Sequence, residues 1–143
     1  MFKVKYMEHR KSLGFGLVAL LAFVQGVLRT YFGFVSAGVL GAAAHDQLMT
    51  CIDVPVNNEM AVIAAPFLLL GVLGIAATAG LVMRTQWGYY GTMIVAVATI
   101  VYDLWAAVAI QASAVFGMFV PVIVIIYLVM RRSAFGTSSA VRA

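Results

Sequence analysis

Charged residues are scarce in this sequence. They make up 10% of its 143 residues, whereas a typical soluble domain carries about 25%. Hydrophobic residues make up 64%, and the mean hydropathy is +1.06. Because so few polar side chains cannot cover a water-soluble fold, the composition predicts an integral membrane protein surrounded by the lipid bilayer.

Cysteine and histidine are nearly absent as well. Cys51 is the single cysteine, which excludes an intramolecular disulfide, a CxxC redox pair and a thiolate metal site. The thiol of Cys51 is therefore either free or joined by a disulfide to another chain. His9 and His45 are expected on opposite sides of the membrane, so one chain offers no histidine pair within the bilayer to hold a haem. The sequence predicts no metal site and no cofactor.

Catalytic motifs are missing too. The sequence contains no GxSxG, HExxH, Walker-type loop or dinucleotide fingerprint. Gly14 and Gly16 form a G-x-G, but it opens an apolar run without a preceding strand. Four membrane spans of about 20 residues leave no room for a separate soluble catalytic domain. We therefore expect that the protein is not an enzyme.

The sequence does contain long apolar runs, each able to cross a bilayer core as a helix of about 20 residues. They are separated by a polar stretch at about residues 41–59, a tight turn near Arg84 and a weak polar break at Gln111 and Ser113. The pattern predicts a single all-α domain, residues 1–143, folded as a bundle of four transmembrane helices. The helices are predicted at about residues 13–37, 60–83, 88–109 and 115–130.

The basic residues flank the apolar runs and do not form a stripe on a soluble helix, so the net charge of +4 does not indicate a nucleic-acid partner. The stretch 41–59 has no Lys or Arg. By the positive-inside rule, the termini and the turn near Arg84 are predicted on the cytoplasmic side of the plasma (cell inner) membrane, and the stretch 41–59 outside. The flanking residues are Lys3, Lys5, Arg10, Lys11, Arg84, Arg131, Arg132 and Arg142, and the acidic loop residues are Asp46, Asp53 and Glu59.

Small residues are concentrated in the second predicted helix. Gly71, Gly74 and Gly80 give it a surface that lets another backbone approach closely, which drives helix packing in lipid. The same half of the chain has a Trp87-Gly88 turn after Arg84 and ends its last helix with Ile126-Tyr127-Leu128 before Arg131. In these features it resembles a loosely defined group of small four-helix prokaryotic membrane proteins of unknown function. The resemblance implies a compact four-helix bundle and no particular activity.

Two ionisable residues fall inside predicted spans. An ionised side chain near the bilayer centre costs about 3 kcal/mol or more, so each needs a structural reason. With a rise of about 1.5 Å per residue, Arg29 lies about 24 Å from Leu13, and Asp103 lies about 22 Å from Gly88. Both predicted helices start on the cytoplasmic side. The two opposite charges are therefore predicted at the same depth.

Each of these two charged residues shares its helix face with other polar residues. Gln25 and Arg29 share one face of the first helix, and Thr99 and Asp103 share one face of the third. We predict that the faces meet inside the bundle and that Arg29 pairs with Asp103, with Glu59 as the competing partner. The pair either fixes helix register or serves transport or ligand capture; alternatively, Arg29 extends unpaired to the membrane surface.

Two functions are compatible with these features. The first is a non-catalytic membrane subunit that packs its glycine surface in a homo-oligomer or as an accessory or assembly subunit of a larger membrane complex. The second is a small transporter or channel component with a polar pathway near Arg29 and Asp103. A third interpretation is an outer-surface binder that uses the acidic loop.

Overall fold

The computed structural model describes the backbone of residues 2–52, 57–58 and 60–132, and the side chains of these residues from Leu13 onward. Every regular element in the described residues is helical, as predicted. A π-helical turn, Met60–Ala64, continues into the third helix, and a 3₁₀ segment, Ala112–Met118, continues into the fifth. The α-helices are α1 (Phe2–Ser36), α2 (Ala42–Met49), α3 (Ala65–Val82), α4 (Gln86–Ala109) and α5 (Phe119–Met130).

Among the described residues, four helical stretches are long and apolar enough to cross a membrane. This confirms the prediction of four long apolar helices. Their bounds are Leu13–Ser36, Met60–Val82, Gln86–Ala109 and Ala112–Met130.

The four spans form a bundle. Both α1 and α4 pack against α3 and α5, so the order around the bundle is α1, α3, α4, α5, and α1 faces α4 across the diagonal. Two apolar clusters fill the interior. One joins Val18, Leu81, Tyr89, Val124 and Leu128, toward the end that holds the α3–α4 turn; the other joins Ile63, Ala106 and Ile110, toward the end that holds α2.

The stretch predicted as a loop at residues 41–59 contains helix α2, which is a difference from the sequence prediction. Gly38, with a φ of 72°, ends α1: the amide of Val39 donates to the Phe34 carbonyl, as in a Schellman motif. Gly41, with a φ of 112°, then redirects the chain. Three consecutive alanines, residues 42–44, favour helix strongly, and α2 packs against α1.

The turn between α3 and α4 is short and well bonded. Arg84 has a φ of 56°, and the Thr85 hydroxyl donates to the Gly80 carbonyl at 2.7 Å while accepting from the Gly88 amide at 3.2 Å. Thr85 thereby caps the N-terminus of α4. The two helices touch backbone to backbone immediately after this turn, because a Cβ on Gly88 would overlap the main chain of Gly80 and Leu81.

The predicted glycine surface of α3 packs within the chain. Gly71 lies against α1, where a Cβ would come within 2.6 Å of the Thr30 amide nitrogen, and Gly80 lies against Trp87 and Gly88 of α4. Gly74 is less tightly covered: a Cβ there would be 3.7 Å from the nearest side-chain atom, in Val95. The small residues therefore serve the close approach of α3 to its two neighbours.

Candidate functional site

A buried ion pair lies inside the bundle, between α1 and α4. The Arg29 Nη2 donates to Asp103 Oδ2 at 2.5 Å. Arg29 is 6% exposed and Asp103 is 3% exposed. The structure thus brings together the two charges that the sequence places at the same depth. Arg29 does not extend to the surface of the bundle.

The helical spacing explains how α4 presents its carboxylate. Thr92, Ala96, Thr99 and Asp103 recur every three or four residues and are all buried, so they form the inner face of α4. On α1, Gln25 lies one turn before Arg29 and is half-buried. The predicted polar stripes therefore face the interior.

Gly117, in the 3₁₀ segment, is a third component of the site that the sequence analysis missed. A Cβ built on Gly117 would lie 2.6 Å from Asp103 Oδ2 and 3.5 Å from Arg29 Nη2. Its carbonyl accepts a hydrogen bond from Gln25 Nε2 at 3.3 Å. Gly117 therefore lets the main chain of the 3₁₀ segment lie directly against the ion pair, where any other residue would collide.

Aromatic rings cover the pair on the side of α3. The Arg29 guanidinium carbon lies 5.2 Å from the centre of the Phe67 ring, within the range of a cation–π contact. The Tyr102 ring meets Phe67 edge to face at 5.7 Å, and its hydroxyl donates to the Val62 carbonyl at 2.9 Å. No sequence pattern singles out either ring. The two rings together form an aromatic wall beside Arg29.

The hydrogen-bonding capacity of Arg29 is only partly used. Its Nε and Nη1 atoms are buried and make no hydrogen bond with any of the described residues. Buried donors without an acceptor are costly, about 1 to 3 kcal/mol each. The ion pair thus retains donors that suit an additional acceptor.

A cavity of about 420 Å³ opens beside the pair, between α1, α4, the 3₁₀ segment and the end of α2. Its size falls within the range of about 300 to 1,000 Å³ typical of small-molecule sites. Apolar side chains form most of its wall, and the few polar groups include Gln25, Arg29 and Asp103. Cys51 and Ile52 line it from the α2 end.

A second, much smaller cavity of about 30 Å³ lies deeper in the bundle and also touches Arg29. Gln25, Thr78, Thr92 and Thr99 contribute polar groups to its wall. A space of this size with several polar groups in its wall is large enough for a water molecule. Arg29 thus borders two spaces that differ greatly in volume, both with mainly apolar walls.

The predicted acidic loop residues are not brought into this site by the described part of the chain. Asp46, on α2, is exposed. His45 lies near the end of α1, with its Nδ1 atom 3.3 Å from the Val35 carbonyl oxygen. Within the described side chains, no three His, Cys, Asp or Glu residues lie close enough to hold a metal ion. Asp53 and Glu59, including the suggested Glu59–Arg29 pairing, lie outside the described residues.

Comparison with protein-family models, with curated proteins and with solved structures finds no match for this chain. The function must therefore be argued from the site itself.

Proposed function

We propose that this chain is a multi-pass protein of the cell membrane, with both termini and the α3–α4 turn on the cytoplasmic side. The surface of the four spans supports this location because large apolar side chains point outward along their length. Ile94 is 68% exposed, Val108 86% and Met130 78%. Such a surface is favourable in lipid and unfavourable in water. The orientation follows from the basic residues at the ends of the spans.

Within this setting, we propose that the protein is a non-catalytic binding component, of the kind found in small transporters, which holds a small molecule that enters from the membrane. The observation that carries the proposal is the cavity of about 420 Å³ with the Arg29–Asp103 pair in its wall. Ionisable residues inside a membrane commonly mark substrate pathways. A pair that only fixed helix register would not need a ligand-sized space beside it.

The glycine contacts argue against the other function suggested by the sequence, an accessory subunit that offers its glycine surface to a partner. Gly71 and Gly80 are already covered by α1 and α4 of the same chain. An oligomer or larger complex would have to use the outward apolar residues instead. The interior cavity, in contrast, is available in a single copy.

A photocrosslinking experiment tests the proposed binding role. The purified protein in phosphatidylcholine nanodiscs is exposed to medium-chain alkyl diazirine probes with different polar ends, and mass spectrometry locates the labelled residues. We expect labelling of cavity residues such as Ile110 and Phe116. Ala114→Trp should block it, because Ala114 lines the cavity, whereas Ala112→Trp should not, because Ala112 is exposed. If no probe labels the cavity, or if both variants behave alike, the proposal is wrong.

A further inference from the structure

The charge balance of the ion pair restricts what the large cavity can hold. Arg29 and Asp103 neutralise each other through one hydrogen bond. An anion placed beside them would leave one negative charge in excess, and a cation one positive charge in excess, both in a region with little water. Uncompensated buried charge is strongly unfavourable. The pair therefore favours a ligand with no net charge.

The unused donors define the polar end of that ligand. Nε and Nη1 of Arg29 together carry three N–H groups, and none of them finds an acceptor among the described residues. A carbonyl or ether oxygen in the cavity would meet this need. An ammonium or amide N–H would not, because two donors do not bind each other.

The cavity residues away from the ion pair indicate what the rest of the ligand must be like. Leu28, Ile110, Phe116 and Val120 line the cavity away from the pair. Leu28 and Phe116 are also exposed on the outside of the bundle, at 50% and 73%. An apolar chain that lies along them would leave the surrounding lipid at little cost, because it exchanges one apolar environment for another.

From these three observations we propose that the cavity binds an uncharged amphiphile, with its hydrogen-bond-accepting end on Arg29 and its apolar body along the 3₁₀ segment. The proposal rests on the binding role proposed above and names the chemical class of its ligand. Arg29 acts as the donor, and Asp103 acts by keeping the guanidinium charge balanced and oriented.

The test uses the same nanodiscs with four probes that share one photoreactive alkyl chain and differ only at the end: methyl ketone, methyl, carboxylate or trimethylammonium. One net hydrogen bond from a charged donor corresponds to a gain of roughly tenfold to a hundredfold in affinity. We expect the ketone to label the cavity residues about that much more strongly than the methyl probe. The carboxylate and trimethylammonium probes should not exceed the methyl probe.

A paired variant keeps the test interpretable if the single variants do not fold. R29M/D103V removes both charges, and valine has no atom beyond Cγ that would collide with Gly117, so the cavity should remain. In this variant the ketone should lose its advantage over the methyl probe, while Arg132→Met, at an exposed position, should keep it. Equal labelling by all four probes in the wild type would overturn the ligand class but not the binding role. Preference for the carboxylate, or a ketone preference that survives in R29M/D103V, would also overturn the ligand class.

Discussion

Gly117 lies so close to Asp103 that a Cβ on this glycine would be 2.6 Å from the carboxylate oxygen that Arg29 binds. We therefore expect Gly117→Ala to push the carboxylate away from the guanidinium. Overpacking of this kind costs about 1 to 3 kcal/mol in the free energy of unfolding. The measurement is SDS-induced unfolding in mild detergent, followed by circular dichroism.

Gly16→Ala is the matched control for Gly117→Ala. A Cβ on Gly16 would have nothing within 4 Å, and a helix-interior glycine replaced by alanine gains about 0.5 to 1 kcal/mol. If Gly117→Ala unfolds at the wild-type midpoint or above it, as Gly16→Ala should, the 3₁₀ segment does not lie against the ion pair.

The second prediction concerns the ion pair itself. Arg29→Met or Asp103→Val alone leaves one charge buried without its partner, and each should destabilise the protein by about 3 to 5 kcal/mol. The double variant removes both charges and should be more stable than either single variant. Arg132→Met, at an exposed position, is the control and should change little. The same SDS titration measures all four variants.

A purely additive double variant would contradict the pairing. In that case, the two side chains would contribute independently, as expected for an arginine that extends alone to the membrane surface.

The third prediction concerns the crossing of α3 and α4. Gly88→Ala places a methyl group against the main chain of Gly80 and Leu81, which cannot move as a side chain can. We expect a loss of at least about 2 kcal/mol in the free energy of unfolding, or a failure to accumulate in the membrane. Gly91→Ala, on the same helix, would meet only Ala77, whose Cβ would lie at an ordinary 3.4 Å, and should be tolerated. Equal stability of the two variants would argue that the helices do not cross at Gly88.

The fourth prediction concerns orientation. Cys51 is exposed near the α2 end, so a membrane-impermeant maleimide should label it in intact cells. Met83→Cys in a Cys51→Ser background places the only thiol at the α3–α4 turn, where Met83 is 73% exposed. This thiol should react only after the membrane is permeabilised. Labelling of position 83 in intact cells would reverse the proposed topology.

The sequence predicted much of the fold because membrane helices follow from a few strong constraints. A run of about 20 apolar residues must be a helix in lipid, since its backbone groups have no water to bind. The constant rise per residue of an α-helix also allowed the depths of Arg29 and Asp103 in the membrane to be predicted from their positions in the sequence. Helix α2 was missed because the polar residues around it resemble a loop, although its three alanines favour helix.

The remaining parts of the site depend on tertiary contacts that leave no sequence signal. Gly117 falls near the start of the fourth predicted helix, where a single glycine indicates nothing in particular, and its importance arises only where the 3₁₀ segment packs alongside α4. Phe67 is one of many apolar residues on α3. The sequence pattern does not distinguish an aromatic ring that packs over a guanidinium from one that faces lipid. The cavity itself is a property of four helices together.

The position of the ion pair between two helices that are not neighbours gives the bundle a directional stiffness. α1 and α4 cannot separate at that level without breaking the pair, and α3 is held against both by its glycine contacts, whereas α5 can move outward while the pair stays closed. Thermal fluctuations should accordingly be larger in α5 than in the other three long helices. Slower amide hydrogen exchange in the central turns of α1, α3 and α4 than in those of α5 would show this difference.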